Sequence, residues 1–276
     1  MNRLHLYQIT EINNGAAALI VDEEYAQGME KLQVGLGQLQ AHLSQLSGSN
    51  IEDIYSDSLD EWMYPAVEAL QVDDRCGPTA SSFFVYRRPL VAPPLKVDRT
   101  HKKANAEYLK THHKYVTGEH TNLWVAMLFN YGLACHLSYI DHEGRLNNGS
   151  RPEYDLLQRA SQMYDLAITS LRNSAASKLT ERRDVVSSNI QFFRAAMNNL
   201  AICEQTRYGL LMASSTNGPC PIDILFNKGF ERLRELLRRY PSESNDTPER
   251  ALWSCYMANI LRVVSSFHPN YCAAAC

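Results

Sequence analysis

The sequence predicts an all-α protein, an α-solenoid of about three stacked antiparallel helix hairpins with a C-terminal capping helix. Apolar residues recur at helical intervals along most of the 276 residues. Three of the predicted helices carry an asparagine two positions before a glycine or alanine, and an apolar helix follows each of them. We therefore expect one helical domain over 1–276, with a loosely ordered insertion at 50–120 between the first and second helix pairs.

The first pair is predicted at the N-terminus. Apolar residues at helical spacing indicate a helix over residues 4–20. The acidic run at 22–24 suits the first turn of a second helix, whose dipole favours negative charge there. An apolar stripe over 25–43 then runs to the Ser-Gly-Ser break at 47–49. Two helices with so short a link form an antiparallel hairpin.

The insertion separates this hairpin from the rest. Residues 50–80 are acidic and contain proline and glycine, which is typical of a loosely ordered segment. In SSFFVYRRPLV, the aromatic and β-branched residues 83–86 predict one short strand that ends before Pro89. Residues 92–120 are polar and basic, and we expect a partly helical connection there.

Helical periodicity then returns and persists. The stretch at 122–140 is apolar almost all round, which indicates a buried helix. Further helices are predicted at 154–171, at 182–206, at 221–239 and from Thr247-Pro248 to about 266. The last of these, with Trp253, Tyr256, Ile260 and Val263, is expected to cap the stack.

A short asparagine-containing pattern recurs in the first helix of each pair. It occurs as Asn13-Asn14-Gly15, Asn130-Tyr131-Gly132 and Asn199-Leu200-Ala201. A glycine or alanine lets a second helix approach closely. The helix QRASQMYDLAITSL offers a matching face, because Ala160, Tyr164 and Ala167 lie at i, i+4 and i+7.

These patterns resemble the tetratricopeptide repeat (TPR), whose unit of about 34 residues pairs an L-G-x-x-Y helix with an A-x-x-x-F-x-x-A helix. Residues 158–171 fit the second helix well, and Gly28, Leu32 and Gly35 fit it more loosely. The resemblance is to a group of uncharacterised eukaryotic TPR-like proteins with degenerate repeats, and it brings no activity with it. The alternative is a non-repeating helical bundle that uses small residues at its helix contacts.

The resemblance implies a groove lined by the first helix of each pair, in which a peptide or partner segment binds. The groove residues it implies are Asn13, Phe129, Asn130, His136, Asn198, Asn199 and Gln205. An asparagine amide both donates and accepts without a fixed charge. The alternative role of the asparagines is to tie neighbouring helices together. Family members that grip a C-terminal carboxylate place cations beside them, whereas Ile12 and Phe129 stand there in this chain.

Composition limits the partners and the compartment. A net charge of −3 gives no basic field, so we expect a protein or peptide partner and no nucleic acid. The longest apolar runs are too short for a membrane span. Seven scattered cysteines without a C-x-x-C pair indicate reduced thiols in the cytoplasm, with the nucleus as the alternative. We expect a monomer or weak self-association.

No residue set in the sequence calls for catalysis, and we predict no enzyme, no cofactor and no metal. The phosphate-binding, nucleophile-elbow and H-E-x-x-H patterns do not occur. The sequence therefore favours a non-enzymatic protein–protein interaction scaffold. The alternative is a helical-domain enzyme or metal-binding protein that uses the histidine-rich segment 101–142.

Overall fold

The structure is a computed structural model, and its regular secondary structure is helical, as the sequence predicts. It describes residues 3–46, 59, 63, 85–92, 106–145, 154–174, 189–214, 231–232, 234–235, 238 and 252–261. Five helices have defined bounds: α1 Arg3–Val21, α2 Tyr25–Leu46, α3 Ala106–Arg145, α4 Tyr154–Ser174 and α5 Ile190–Ser214. Residues 252–261 form a further helix, α6.

The link between α1 and α2 is a Schellman turn. The Glu24 N–H donates to the Leu19 carbonyl at 2.8 Å and the Glu23 N–H donates to the Ile20 carbonyl at 3.2 Å. Glu23 adopts a φ of 64°, the left-handed conformation that this turn requires. The acidic run at 22–24 therefore forms the link, and α2 begins one residue after it.

Helix α3 is the central helix of the core and extends over 40 residues. It begins at Ala106, well before the predicted start, because the polar stretch before residue 122 continues the helix. Its side chains between 122 and 139 are buried on nearly all sides. Among the described residues, the segment His120–His142 is long and apolar enough to cross a membrane. Most of it is buried inside the protein, and a buried core helix can have the same length and composition.

Two glycines bring neighbouring helices close to α3. A Cβ on Gly132 of α3 would lie 3.1 Å from the Tyr164 ring of α4. A Cβ on Gly35 of α2 would lie 2.8 Å from Ile12 Cγ2 and would also contact Met127 of α3. Both contacts leave no room for a larger side chain, so the small residues set the helix spacing.

Each helix from α1 to α5 packs against the next one along the chain, and α1 also contacts α3. The buried apolar side chains of these helices and of α6 form one continuous core. It includes Ala160, Tyr164 and Ala167, none of which is exposed, in agreement with the predicted small, large, small face of α4.

The predicted strand is absent from the described residues. Residues 85–92 have no regular secondary structure and belong to no sheet, and the even spacing of their pairings at 86, 90 and 92 indicates an extended run; residues 83 and 84 lie outside the described part. A strand is not needed to satisfy their backbone, because asparagine side chains of three helices bond to it. Most of the predicted insertion at 50–120 lies outside the described residues, and 106–120 belongs to α3.

The C-terminal part packs on α4 and α5. Helical residues from the predicted 221–239 helix reach α4, where Glu235 accepts from Arg172 at 3.0 Å and Arg232 donates to Asp165 at 2.6 Å. In α6, Tyr256 is fully buried, and the Arg194 guanidinium of α5 lies 5.2 Å from the centre of the Trp253 ring. Val263 lies outside the described residues.

Candidate functional site

The candidate site is a groove between α1, α3 and α5 that is filled by residues 85–92, which we call the groove segment. Asn13 and Asn14 of α1, Asn130 of α3 and Asn199 of α5 hold the segment, and we call these four residues the asparagine clamp. The predicted asparagines on the first helix of each pair are thus brought together on one length of extended chain.

The middle of the clamp is Asn130, which pairs with Leu90. The Leu90 N–H donates to Asn130 Oδ1 at 2.7 Å, and Asn130 Nδ2 donates to the Leu90 carbonyl at 2.8 Å. A primary amide presents its acceptor and donor side by side, as a peptide group of a neighbouring strand would. One side chain therefore satisfies both main-chain groups of one residue.

The same pairing occurs at both ends of the groove segment. Tyr86 donates its N–H to Asn199 Oδ1 at 2.8 Å and accepts from Asn199 Nδ2 at 2.9 Å. Ala92 donates to Asn14 Oδ1 at 2.9 Å and accepts from Asn14 Nδ2 at 2.8 Å. Three helices thus bond to the main chain of the segment in an identical way.

Asn13 has a different role, because it hydrogen-bonds to two other residues of the clamp, Asn14 and Asn130. Its Nδ2 donates to the Leu90 carbonyl at 3.1 Å and to Asn14 Oδ1 at 3.2 Å. Its Oδ1 accepts from Asn130 Nδ2 at 3.0 Å. Asn13 therefore ties α1 to α3, which is the alternative role of the asparagines, and it also binds the segment.

The paired residues 86, 90 and 92 are separated by even numbers of positions. In an extended chain the N–H and C=O of such residues point to one edge. That edge faces the clamp. Position 89 belongs to the opposite edge, where its proline has no N–H to satisfy, and proline also favours an extended conformation for the residue before it.

A second layer of polar side chains positions Asn199. Tyr164 accepts a hydrogen bond from Asn199 Nδ2 at 3.3 Å, and Gly132 gives the Tyr164 ring its space. On the other side, Asn198 Nδ2 donates to Asn199 Oδ1 at 3.3 Å, and Asn259 Nδ2 of α6 donates to Asn198 Oδ1 at 2.7 Å. Asn198 therefore supports the clamp and connects it to α6.

The remaining predicted groove residues, Phe129, His136 and Gln205, are buried in the core. The Phe129 ring is fully buried and packs edge-on to Tyr86, with the ring centres 6.4 Å apart. His136 is 1% exposed, and its Nδ1 lies 3.3 Å from Cys203 Sγ. Gln205 is buried on α5. Phe129 packs against Tyr86 and His136 lies near Arg87, so these two side chains belong to the floor of the groove rather than to its polar edge.

The Cys203 and His136 pair is electrically neutral at physiological pH. Burial, helped by the nearby Arg87 guanidinium, lowers the pKa of His136 to about 3. Burial, helped by the charge of Glu204, raises the pKa of the Cys203 thiol well above its usual range. A nucleophilic cysteine needs the opposite shift, so this pair is suited to packing.

The described residues hold no group of three or more histidine, cysteine or acidic side chains arranged to bind a metal. Of the histidine-rich segment, His101 and the side chains of His112 and His113 lie outside the described part. Among the described residues, Cys135, Cys203 and Cys255 are not joined in disulfide bonds.

The free energy of holding the segment is a small difference between large opposing contributions. Burial of the Val85, Tyr86 and Leu90 side chains contributes about 6 kcal/mol. The seven hydrogen bonds from the clamp to the segment's main chain contribute about 7 kcal/mol. Fixing eight residues costs on the order of 12 kcal/mol. Loss of one pairing is therefore enough to shift the segment toward release.

Three features of the site are not among the predicted groove residues. Asn14 is one of them. Its neighbour Asn13 is a predicted groove residue, but adjacent helical positions usually face different directions, so Asn14 is not expected to face the groove as well. Asn259 and Asn189 are the others, and Asn189 Oδ1 accepts from the buried Leu59 N–H at 2.7 Å. Asn14 directly precedes Gly15 and Asn189 directly precedes α5, which are local signals, whereas Asn259 lies inside α6 with no such signal.

Comparison of the chain with protein-family models, with curated proteins and with solved structures finds no match. The function of the groove is therefore inferred from its geometry.

Proposed function

We propose that the protein is a non-enzymatic interaction scaffold, a TPR-like α-solenoid whose groove binds an extended polypeptide through its main chain. The observation that carries this proposal is the repeated pairing of one asparagine with both main-chain groups of one residue, on α1, α3 and α5. Recognition by main-chain bonds, with side chains in pockets, is the way that grooves and sheet edges bind extended peptides.

The order of helix contacts supports a solenoid. Each helix contacts its successor, and α1 also contacts α3, which is the pattern that stacked hairpins produce. The segment then crosses the first helix of each pair, so that the groove is the inner face of the stack. A bundle in which distant helices pack directly on one another would have different contacts.

The partner that we propose is a protein or peptide, encountered in the cytoplasm or the nucleus by a monomer or a weakly associating chain. The clamp carries no charge, because asparagine supplies all of its groups. A neutral clamp favours a polypeptide backbone over a phosphate or a carboxylate, which bind best to cations. Binding is accordingly expected to depend weakly on salt.

The test is co-purification with the full chain and with a variant carrying both N130A and N199A. Four paired hydrogen bonds to the main chain are lost in this variant, so a partner held in the groove is expected to be lost while the helical circular dichroism is retained. The matched control is Q33A with Q40A, which removes two exposed amides from α2. Equal recovery of every partner by all three proteins contradicts the proposal.

A further inference from the structure

We propose that the groove segment is a resident occupant, which a partner replaces with an extended peptide of the same pattern. The pattern is Tyr-x-x-Pro-Leu-x-Ala, given by positions 86 to 92 of this chain. This inference rests on the proposed function, because it names the peptide that the same groove takes and the contact that restrains it.

The side chains of the segment define what fits. Tyr86 is 1% exposed and its ring packs edge-on to Phe129, while Leu90 is fully buried. Ala92 is 3% exposed beside the Asn14 pairing, which leaves space for a small residue. Arg87, in contrast, is exposed, so its position accepts other residues. The groove therefore selects an aromatic residue, a large aliphatic residue four positions later and a small residue two positions beyond it.

The main-chain bonds do not distinguish this chain from another. Any extended peptide presents the same N–H and C=O groups to the clamp, so an incoming peptide recovers all seven hydrogen bonds. The segment belongs to the 59 residues from 47 to 105 that separate α2 from α3 in sequence. The segment is part of none of the five helices with defined bounds, so its release leaves those helices intact.

A second anchor keeps a released segment near the groove. The Leu59 N–H donates to Asn189 Oδ1 at 2.7 Å, and Leu59 is fully buried beside the start of α5. A tethered segment competes at a high effective concentration with any free peptide. The resident segment thus sets a threshold that a partner must exceed.

The experiment measures binding of a fluorescein-labelled peptide of residues 83–94 to three full-length proteins: wild type, Y86S with L90S, and the latter with N130A and N199A added. We expect the Y86S and L90S protein to bind with a Kd about fivefold lower than wild type, because its own segment competes poorly. The protein with the added asparagine changes is expected to lose this binding. A control peptide carrying Y86S and L90S is expected to bind none of them.

A second measurement uses the wild-type chain alone and so does not depend on the folding of a variant. A ¹³C,¹⁵N-labelled peptide of residues 83–94 is added in excess, and hydrogen exchange of the chain's own residues 85–92 is followed by mass. We expect their exchange to accelerate while that of α3 stays constant. Unchanged exchange of residues 85–92 at the highest soluble concentration of the peptide overturns the replacement.

The two proposals fail in different ways. If no protein binds the peptide but a co-purified partner still depends on Asn130 and Asn199, the pattern is wrong and the scaffold function stands. If the peptide binds equally well to the proteins with and without the asparagine changes, the clamp does not hold the peptide, and both proposals are wrong.

Discussion

Replacement of Asn130 by alanine removes the middle of the clamp, and the bonds that are lost set the size of the effect. The Leu90 N–H loses its acceptor at 2.7 Å, and Asn13 Oδ1 loses its donor at 3.0 Å. The Leu90 carbonyl keeps the bond from Asn13 at 3.1 Å. Leaving two buried polar groups unpaired costs about 3 kcal/mol in total. That cost favours release of the segment by about a hundredfold, since each 1.4 kcal/mol corresponds to a factor of about ten.

The assay is hydrogen exchange of the full chain, with urea unfolding in parallel. In N130A we expect residues 85–92 to exchange close to the rate of an unstructured peptide while α3 retains its protection. N130D has the same shape and keeps an acceptor, but it places a negative charge toward the Leu90 carbonyl, and we expect at least as large a loss. The exposed Gln33 provides the control Q33A. Unchanged protection of the segment in N130A would refute the role of the clamp.

Three further predictions concern the turn, the helix contact and the floor of the groove. Glu23 has a φ of 64°, so E23G is expected to stabilise the protein by about 1 kcal/mol in urea unfolding. G132A places a Cβ 3.1 Å from the Tyr164 ring and is expected to cost about 2 kcal/mol, measured the same way. The pKa of His136 is lowered from 6.5 to about 3 in the folded protein. As the pH falls below 6.5, the unfolded chain therefore binds a proton at His136 before the folded protein does. The contribution of His136 to stability is therefore present above pH 6.5 and declines by about 2 kcal/mol at pH 5, and H136Q should remove that part of the pH dependence.

The helices are the part of the fold that the sequence predicts best. Apolar periodicity locates α1, α2 and α4, because each packs one apolar face against the core and its spacing is local. For the polar and basic stretch before residue 122 the sequence predicts only a partly helical connection; its residues 106–120 are helical and continue into α3, because such residues form helix well when a long helix continues through them.

The groove is predicted only in part. The recurring asparagine before a small residue occurs on α1, α3 and α5, and Asn13, Asn130 and Asn199 all contact the groove segment. No local sequence pattern indicates that the groove segment fills the groove. The aromatic and β-branched residues near 86 predict a strand. In the structure, however, the main chain at Leu90 and Tyr86 bonds to asparagine side chains 40 and 113 positions away in sequence. Local propensity cannot distinguish a backbone paired with a strand from one paired with amide side chains.

The most direct measurement of the central claim is residue-resolved hydrogen exchange by NMR on wild type and N199A. If the clamp holds the groove segment through its main chain, the Tyr86, Leu90 and Ala92 amides are protected in wild type. In N199A, Tyr86 should then lose protection first, since Ala92 is held by Asn14 at the other end. Exchange of all three wild-type amides at the rate of an unstructured peptide would contradict the account.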